Sequence, residues 1–285
     1  MEGILFDGDL DREYSPSSVA PNFGAIVASY ASGSKDTLQR VPFARLSYGE
    51  RDEEYVLLFA PQSQRESQPR SLLVFFHGGY WQELSAYDAC FPADALVARD
   101  IAYAAVNYTL APHAPVEVIV AQCCNAVNML AQRFPATRIV LAGSSAGAHL
   151  AAMLMSVYWR TFGMAKAPFS GAVLISGIYD LRPLVTTYVN KALALDVGRA
   201  QQLSPMFRPA VSTCDTIVCW GEHETSAFKR QSRGYADYLG QAGARVSAYE
   251  VPEKNHFDIL FDLTNPESRL GSDTLKLLGG NHEYA

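Results

Sequence analysis

Seven short runs of aliphatic and aromatic residues punctuate the chain: YVLLFA at 55–60, LLVFFH at 72–77, IAYAAVNY at 101–108, RIVLAG at 138–143, GAVLIS at 171–176, TIVCWG at 216–221 and RVSAYEV at 245–251. Runs that are apolar on consecutive positions ask for cover on both faces, as in a parallel sheet clad with helices. Helix-length segments separate them, at about Tyr87 to Arg99, Pro115 to Arg133, Ser145 to Trp159 and Ala227 to Gln241. Pro115 suits a first helical turn, and Gly240 and Gly243 suit a helix stop. The alternation predicts an α/β fold with a mostly parallel central sheet and helices on both faces. The least regular stretches are 1–50, 61–71 and 181–212. The first and last of these are expected to form a small cap at the strand C-termini, where open α/β sheets bind ligands. No linker or repeat divides residues 1–285, so one domain is expected.

Composition narrows the partners. Hydrophobic residues are 49% and charged residues 18%, ordinary for a globular chain. A formal charge of -6 offers no basic stripe, which argues against nucleic acid and for a small-molecule substrate. The start, MEGILFDGDLDREYSPSS, lacks a basic segment followed by an apolar run, and no stretch is long and apolar enough for a membrane span. A cytoplasmic protein is the expectation. The cysteines (Cys90, Cys123, Cys124, Cys214 and Cys219) form no CxxC pair and no His-flanked metal spacing, and read as free thiols.

The candidate chemistry lies where strands end. RIVLAG runs straight into an apolar helix through Gly143-Ser144-Ser145-Ala146-Gly147, a GxSxG pattern in which Ser145 has glycine two residues away on either side. Such a serine sits in a strained strand-to-helix turn, its hydroxyl raised above the sheet at the positive end of the helix. Upstream, LLVFFH ends in His77-Gly78-Gly79-Tyr80-Trp81. A glycine pair after a strand leaves backbone N–H groups uncovered, so Gly78 and Gly79, with the N–H of Ala146, are candidates for an oxyanion hole. His77 reads as an orienter of that loop. The general base is expected after a late strand, which selects His256 in Asn255-His256-Phe257 over His113, His149, His223 and His282. Glu224, three residues past Gly221, is the preferred acid, with Glu222, Asp180 and Asp258 as alternatives.

HGGYW, GSSAGAHLAAM, SGIYDLRPL, Ser204-Pro205, GEHETSAFKRQS and NHFDIL together resemble the arylformamidase (kynurenine formamidase) family, α/β-hydrolases near the hormone-sensitive-lipase-like esterases. The resemblance extends from REYSPSS at 12–18 to the His256 region. It implies an α/β-hydrolase fold and cleavage of N-formyl-L-kynurenine to kynurenine and formate, a step of tryptophan breakdown. It also implies Ser145 as nucleophile, His256 as base, an acid in the GEHE loop and oxyanion donors in HGGYW. The chain departs from the family pattern at Glu224, where aspartate is usual, and at Ser144, where histidine is commoner. This chemistry requires no metal and no cofactor. Tyr80 and Trp81 are expected to stack on an aryl ring, and Tyr188 and Asn190 to make polar substrate contacts. A carboxylesterase or another aryl-amide hydrolase is the alternative reading, and a ligand receptor on a hydrolase fold is a third, which predicts a damaged triad. A homodimer is common among such enzymes, although one sequence carries no signal for it.

Overall fold

The computed structural model describes residues 9–61 and 68–279. The tail histidine His282 and most of the irregular stretch 61–71 lie outside the described residues.

All seven apolar runs are strands of one eight-stranded sheet: β2 (Tyr55–Phe59), β3 (Ser71–Phe76), β4 (Ala102–Val106), β5 (Arg138–Ser144), β6 (Gly171–Ile175), β7 (Asp215–His223) and β8 (Val246–Asn255). An eighth strand, β1 (Phe43–Ser47), has no apolar run because it pairs on one side only and leaves four of its five residues exposed. The strand order is β1-β2-β4-β3-β5-β6-β7-β8. β2 is antiparallel to both its neighbours, and from β4 to β8 every pairing is parallel.

Alternate strand residues feed two cores. Val56, Leu72, Val74, Phe76 and Leu141 pack on one face with the helices Val116–Arg133, Ala146–Met155 and Ser226–Gln241. Leu57, Phe59, Leu73, Phe75 and Val140 pack on the other with Phe23–Arg40, Ala93–Val97 and Arg269–Leu277. Each wholly buried Leu or Phe contributes about 1.5–3 kcal/mol, so the double cover fixes the sheet on which the site stands.

Several boundaries differ from expectation. The helix expected over 87–99 is broken into a 3-10 turn at Ala86–Ala89 and a helix at Ala93–Val97, because Pro92 supplies no N–H to continue the first. Pro115 lies one residue before its helix with extended backbone, and the elbow helix stops at Met155 rather than near Trp159. The largest difference is Phe23–Arg40, an 18-residue helix within the stretch expected to be irregular. Its buried positions are Ile26, Tyr30, Ser34 and Thr37, half of them polar, which blurs the apolar stripe. Ser34 is buried because its hydroxyl accepts the Cys90 and Phe91 N–H groups at 2.9 and 3.0 Å. Residues 181–212 form short turns and helices at 182–186, 190–193, 197–202 and 205–207. All five cysteines are free.

Candidate active site

The strand-to-helix turn after β5 is forced by its glycines. A Cβ on Gly143 would meet the Gly147 carbonyl at 2.3 Å, and one on Gly147 would meet the Phe76 carbonyl oxygen at 1.9 Å. The elbow therefore packs backbone to backbone against the end of β3. Between them Ser145 adopts φ 55° and ψ -118°, a left-handed conformation that costs a serine on the order of 1–3 kcal/mol and persists because its surroundings hold it. Its N–H donates to the Ile175 carbonyl at 2.9 Å, which ties the turn to β6. Ala146 opens the following helix, so its N–H lies in the first turn, where no intrahelical acceptor is available.

The loop after β3 lies against this turn: a Cβ on Gly78 would meet the Ser144 carbonyl oxygen at 3.0 Å. Gly79 has φ 96° and closes a tight turn by accepting the Gln82 and Glu83 N–H groups at 2.8 and 2.9 Å. His77 is bonded into the loop it was expected to orient. Its Nδ1 donates to the Gly78 carbonyl at 2.9 Å, and its ring stacks on Tyr108 at 4.2 Å. The Tyr108 hydroxyl in turn donates to the His77 carbonyl at 2.8 Å.

Tyr80 and Trp81, expected to act together, diverge. Tyr80 lines a cavity and donates its hydroxyl to the Tyr14 carbonyl. Trp81 is wholly buried, packs edge-on against His149 at 4.9 Å and does not line the cavity. It is a core residue, so its expected stacking on a substrate ring is corrected. The backbone is left-handed at both, with φ 50° at Tyr80 and 61° at Trp81, and although the ring centroids stay 6.3 Å apart, only Tyr80 reaches the cavity.

A bulge brings histidine and acid together. Gly221 pairs with Val251 and His223 with Asn255, so β8 carries two extra residues over this step. Gly221 admits the bulge, since a Cβ there would meet the Lys254 carbonyl oxygen at 2.4 Å. His256 then sits in a turn held by Asn255 and Asp258: the Asn255 side chain accepts the Phe257 N–H at 2.8 Å, and Asp258 accepts the Asn255 N–H at 2.7 Å. Glu224 faces it, with Oε2 3.0 Å from His256 Nδ1. The other Glu224 oxygen accepts from the Gly221 N–H and the Ser176 hydroxyl, each at 2.6 Å. Both side chains are buried, and Phe228 meets the His256 ring at 4.4 Å.

The three alternative acids are committed elsewhere. Glu222 accepts the Glu253 N–H at 2.8 Å, Asp180 pairs with Arg182 at 2.8 Å, and Asp258 braces the histidine turn.

Ser144, Ser145, Gly78, Gly79, Tyr80 and His256 open onto one cavity of about 350 Å³, within the range of small-ligand pockets. Tyr188 lines it too, held by its N–H to Asp11 at 2.7 Å. Asn190 does not. Its amide is consumed by the Val185 and Leu195 carbonyls and the Leu195 N–H at 2.7–2.9 Å, so its expected substrate contact is corrected to a loop brace. Much of the remaining wall comes from residues that sequence reasoning passed over: Phe23, Val27 and Tyr30 of the 23–40 helix, with Phe91, Phe257 and Leu260. Tyr30 stacks on Phe91 at 5.2 Å and donates its hydroxyl to the Phe257 carbonyl, one residue after His256. Ser176 was also missed, although it stands at a strand end in the conspicuous run SGIYDL. Among the described residues no group of three or more His, Cys, Asp and Glu side chains could hold a metal ion. Nor is any described helix long and apolar enough to cross a membrane.

Two buried histidines under the site make stability pH-dependent. Burial lowers His77 and His149 from the ordinary 6.5 to about 4, so both are neutral in the folded protein at pH 7. Between those values the unfolded chain binds protons that the folded chain refuses. Their contribution is therefore complete above about pH 6.5 and is lost as pH falls towards 4. The melting temperature is expected to hold from pH 8 to 7, then decline through pH 6 and 5, with a shallower decline in His149→Gln. Identical slopes for the two proteins would refute the assignment.

Residues 73–259 match the family model for the alpha/beta hydrolase fold, so the sheet and elbow belong to an α/β-hydrolase. The chain is 33% identical to the kynurenine formamidase of Danio rerio over 95% of its length and 96% of the relative's. It is 32% identical to that of Salmo salar over the same shares. A solved structure from Silicibacter sp. TM1040, described as a candidate thioesterase, superposes with a TM-score of 0.81 at 30% identity, covering 93% of this chain and 98% of that one. The chain belongs to the kynurenine formamidase family and is a hydrolase.

Proposed function

We propose that the chain is an arylformamidase that hydrolyses N-formyl-L-kynurenine to L-kynurenine and formate through a Ser145–His256–Glu224 triad. The observation that carries the reading is the buried Glu224–His256 pair at 3.0 Å, whose histidine lines the same cavity as Ser145. Family membership supports the substrate class, and the aromatic wall of Phe23, Tyr30, Phe91 and Phe257 supports an aryl group.

In this mechanism His256 takes the Ser145 proton as Oγ attacks the formyl carbon. Glu224, bonded to Nδ1, fixes the tautomer that leaves Nε2 free to accept that proton and stabilises the imidazolium that forms. The N–H groups of Ala146 and of Gly78 or Gly79 receive the oxyanion. Collapse of the tetrahedral intermediate breaks the C–N bond, and His256 returns its proton to the departing aryl amine. Water, deprotonated by the same histidine, then cleaves the formyl-serine to formate. An aryl amine leaves more readily than an alkyl amine, which suits an esterase-like site to this amide.

The resemblance to a candidate thioesterase keeps ester hydrolysis as the competing activity. Formate release from N-formyl-L-kynurenine is expected to exceed turnover of p-nitrophenyl acetate in kcat/KM by about tenfold or more, a difference of about 1.4 kcal/mol in transition-state binding. Rapid ester cleavage with no formate released from any N-formyl aryl amine would assign the site to esters instead.

A further inference from the structure

We infer that Ser176 is a positioning residue for the reaction: its hydroxyl holds the Glu224 carboxylate in the rotation that lets Glu224 bond His256. This rests on the triad reading given above and extends it to a residue outside the cavity.

Glutamate brings to such a pairing one torsion more than aspartate, and each free torsion of a long side chain costs entropy to fix. The extra freedom has to be removed by bonds to the carboxylate itself. Oε2 is engaged by His256 Nδ1 at 3.0 Å. Oε1 is held by the Gly221 N–H and the Ser176 hydroxyl, both at 2.6 Å. The Gly221 N–H belongs to β7, the strand that leads directly into Glu224. Ser176 comes from the end of β6 and is the anchor supplied by another strand.

The backbone at Ser176 points to the same role. Its φ is 52°, a left-handed value that glycine would adopt at lower cost, yet the position holds a hydroxyl-bearing residue. Its N–H donates to the Cys219 carbonyl at 2.8 Å, which keeps the turn registered against β7, the strand that delivers Glu224. One residue earlier, the Ile175 carbonyl accepts the Ser145 N–H. The end of β6 thus touches both ends of the proposed triad. Ser176 is itself wholly buried and does not line the cavity, so it has no route to the substrate except through Glu224.

Ser176→Ala and Ser176→Gly are both expected to lower kcat for formamide cleavage by about tenfold to a hundredfold, the range for loss of one hydrogen bond to a charged group, with KM unchanged. Glycine suits the left-handed backbone, which offsets part of the lost bond, so Ser176→Gly is expected to remain folded. It decides the matter should the alanine variant fold poorly. The readout that packing alone would not move is the double-mutant cycle with Glu224→Ala. Once the carboxylate is gone, removing the hydroxyl is expected to cost no more than about twofold. Losses that multiply in the cycle, or Ser176 variants with the parent's kcat, overturn the positioning role. A Glu224→Ala enzyme as active as the parent would overturn the triad reading instead, so the two failures are distinguishable.

Discussion

Ser145→Ala is expected to reduce formate release by about four to six orders of magnitude, the scale seen when a nucleophile is removed from a serine triad, and to abolish labelling by a fluorophosphonate probe. The fold should survive. Alanine bears the left-handed backbone at this position at much the same cost as serine, and the N–H to Ile175 that ties the turn to β6 is retained. A small residual rate should persist, because the N–H groups at Gly78, Gly79 and Ala146 remain to receive an oxyanion. Substrate affinity should change little, since the aromatic wall is untouched. Retained turnover, or probe attached elsewhere in the chain, would remove Ser145 from the mechanism.

Gly147→Ala is expected to do comparable damage by a different route. The new methyl would stand 1.9 Å from the Phe76 carbonyl oxygen and 2.7 Å from that of His77, both backbone atoms that no rotamer change can move. Either the elbow helix or the end of β3 must shift, parting Ser145 from the glycine loop that packs against it. A destabilisation of about 3 kcal/mol or more is expected from overpacking at backbone, with kcat falling at least about a hundredfold in whatever remains folded. Urea denaturation and steady-state kinetics read the two effects separately. Gly240→Ala is the control: it lies in the helix Ser226–Gln241 with nothing within 4 Å, and alanine there should stabilise by up to about 1 kcal/mol. Equal stabilities for the two variants would show that the close approach at Gly147 is not a constraint.

The two variants bracket what was legible in the sequence. The strands were readable because burial on both faces writes itself as an uninterrupted apolar run, and the elbow because steric necessity at Gly143 and Gly147 leaves a fixed spacing. His256 and Glu224 could be named from their order along the chain, but the choice of Glu224 over Glu222 could not be made firmly. It depends on a bulge in β8 that sets which loop carboxylate meets the ring, and no local pattern encodes a register shift. Trp81 was misassigned because adjacent aromatics look equivalent in a sequence. Successive left-handed residues send Tyr80 to the cavity and Trp81 into the core. Asn190 was misassigned because an amide that braces its own loop has the same letter as one that awaits a ligand. The helix at 23–40 was missed because serine and threonine occupy half of its buried positions, and the aromatic wall of the cavity went with it. Ser176 was invisible for the opposite reason: a lone serine at a strand end is common, and only its partner makes it notable.

The segment at 10–19 has a consequence for how the protein comes into being. Glu13 accepts the Ala227 N–H at 2.7 Å, and its carbonyl accepts the Thr225 hydroxyl, partners more than 200 residues later beside the Glu224 loop. Gln231 likewise donates to the Tyr14 hydroxyl at 2.9 Å. A ribosome delivers Glu13 and Tyr14 long before β7 and the helix that follows it exist, so these bonds must wait through most of synthesis. Contacts so distant in sequence form late. The proposed active site is thus completed only when the segment at 10–19 meets the end of β7 and the helix after it, and a nascent chain that has already built most of its sheet is still catalytically silent.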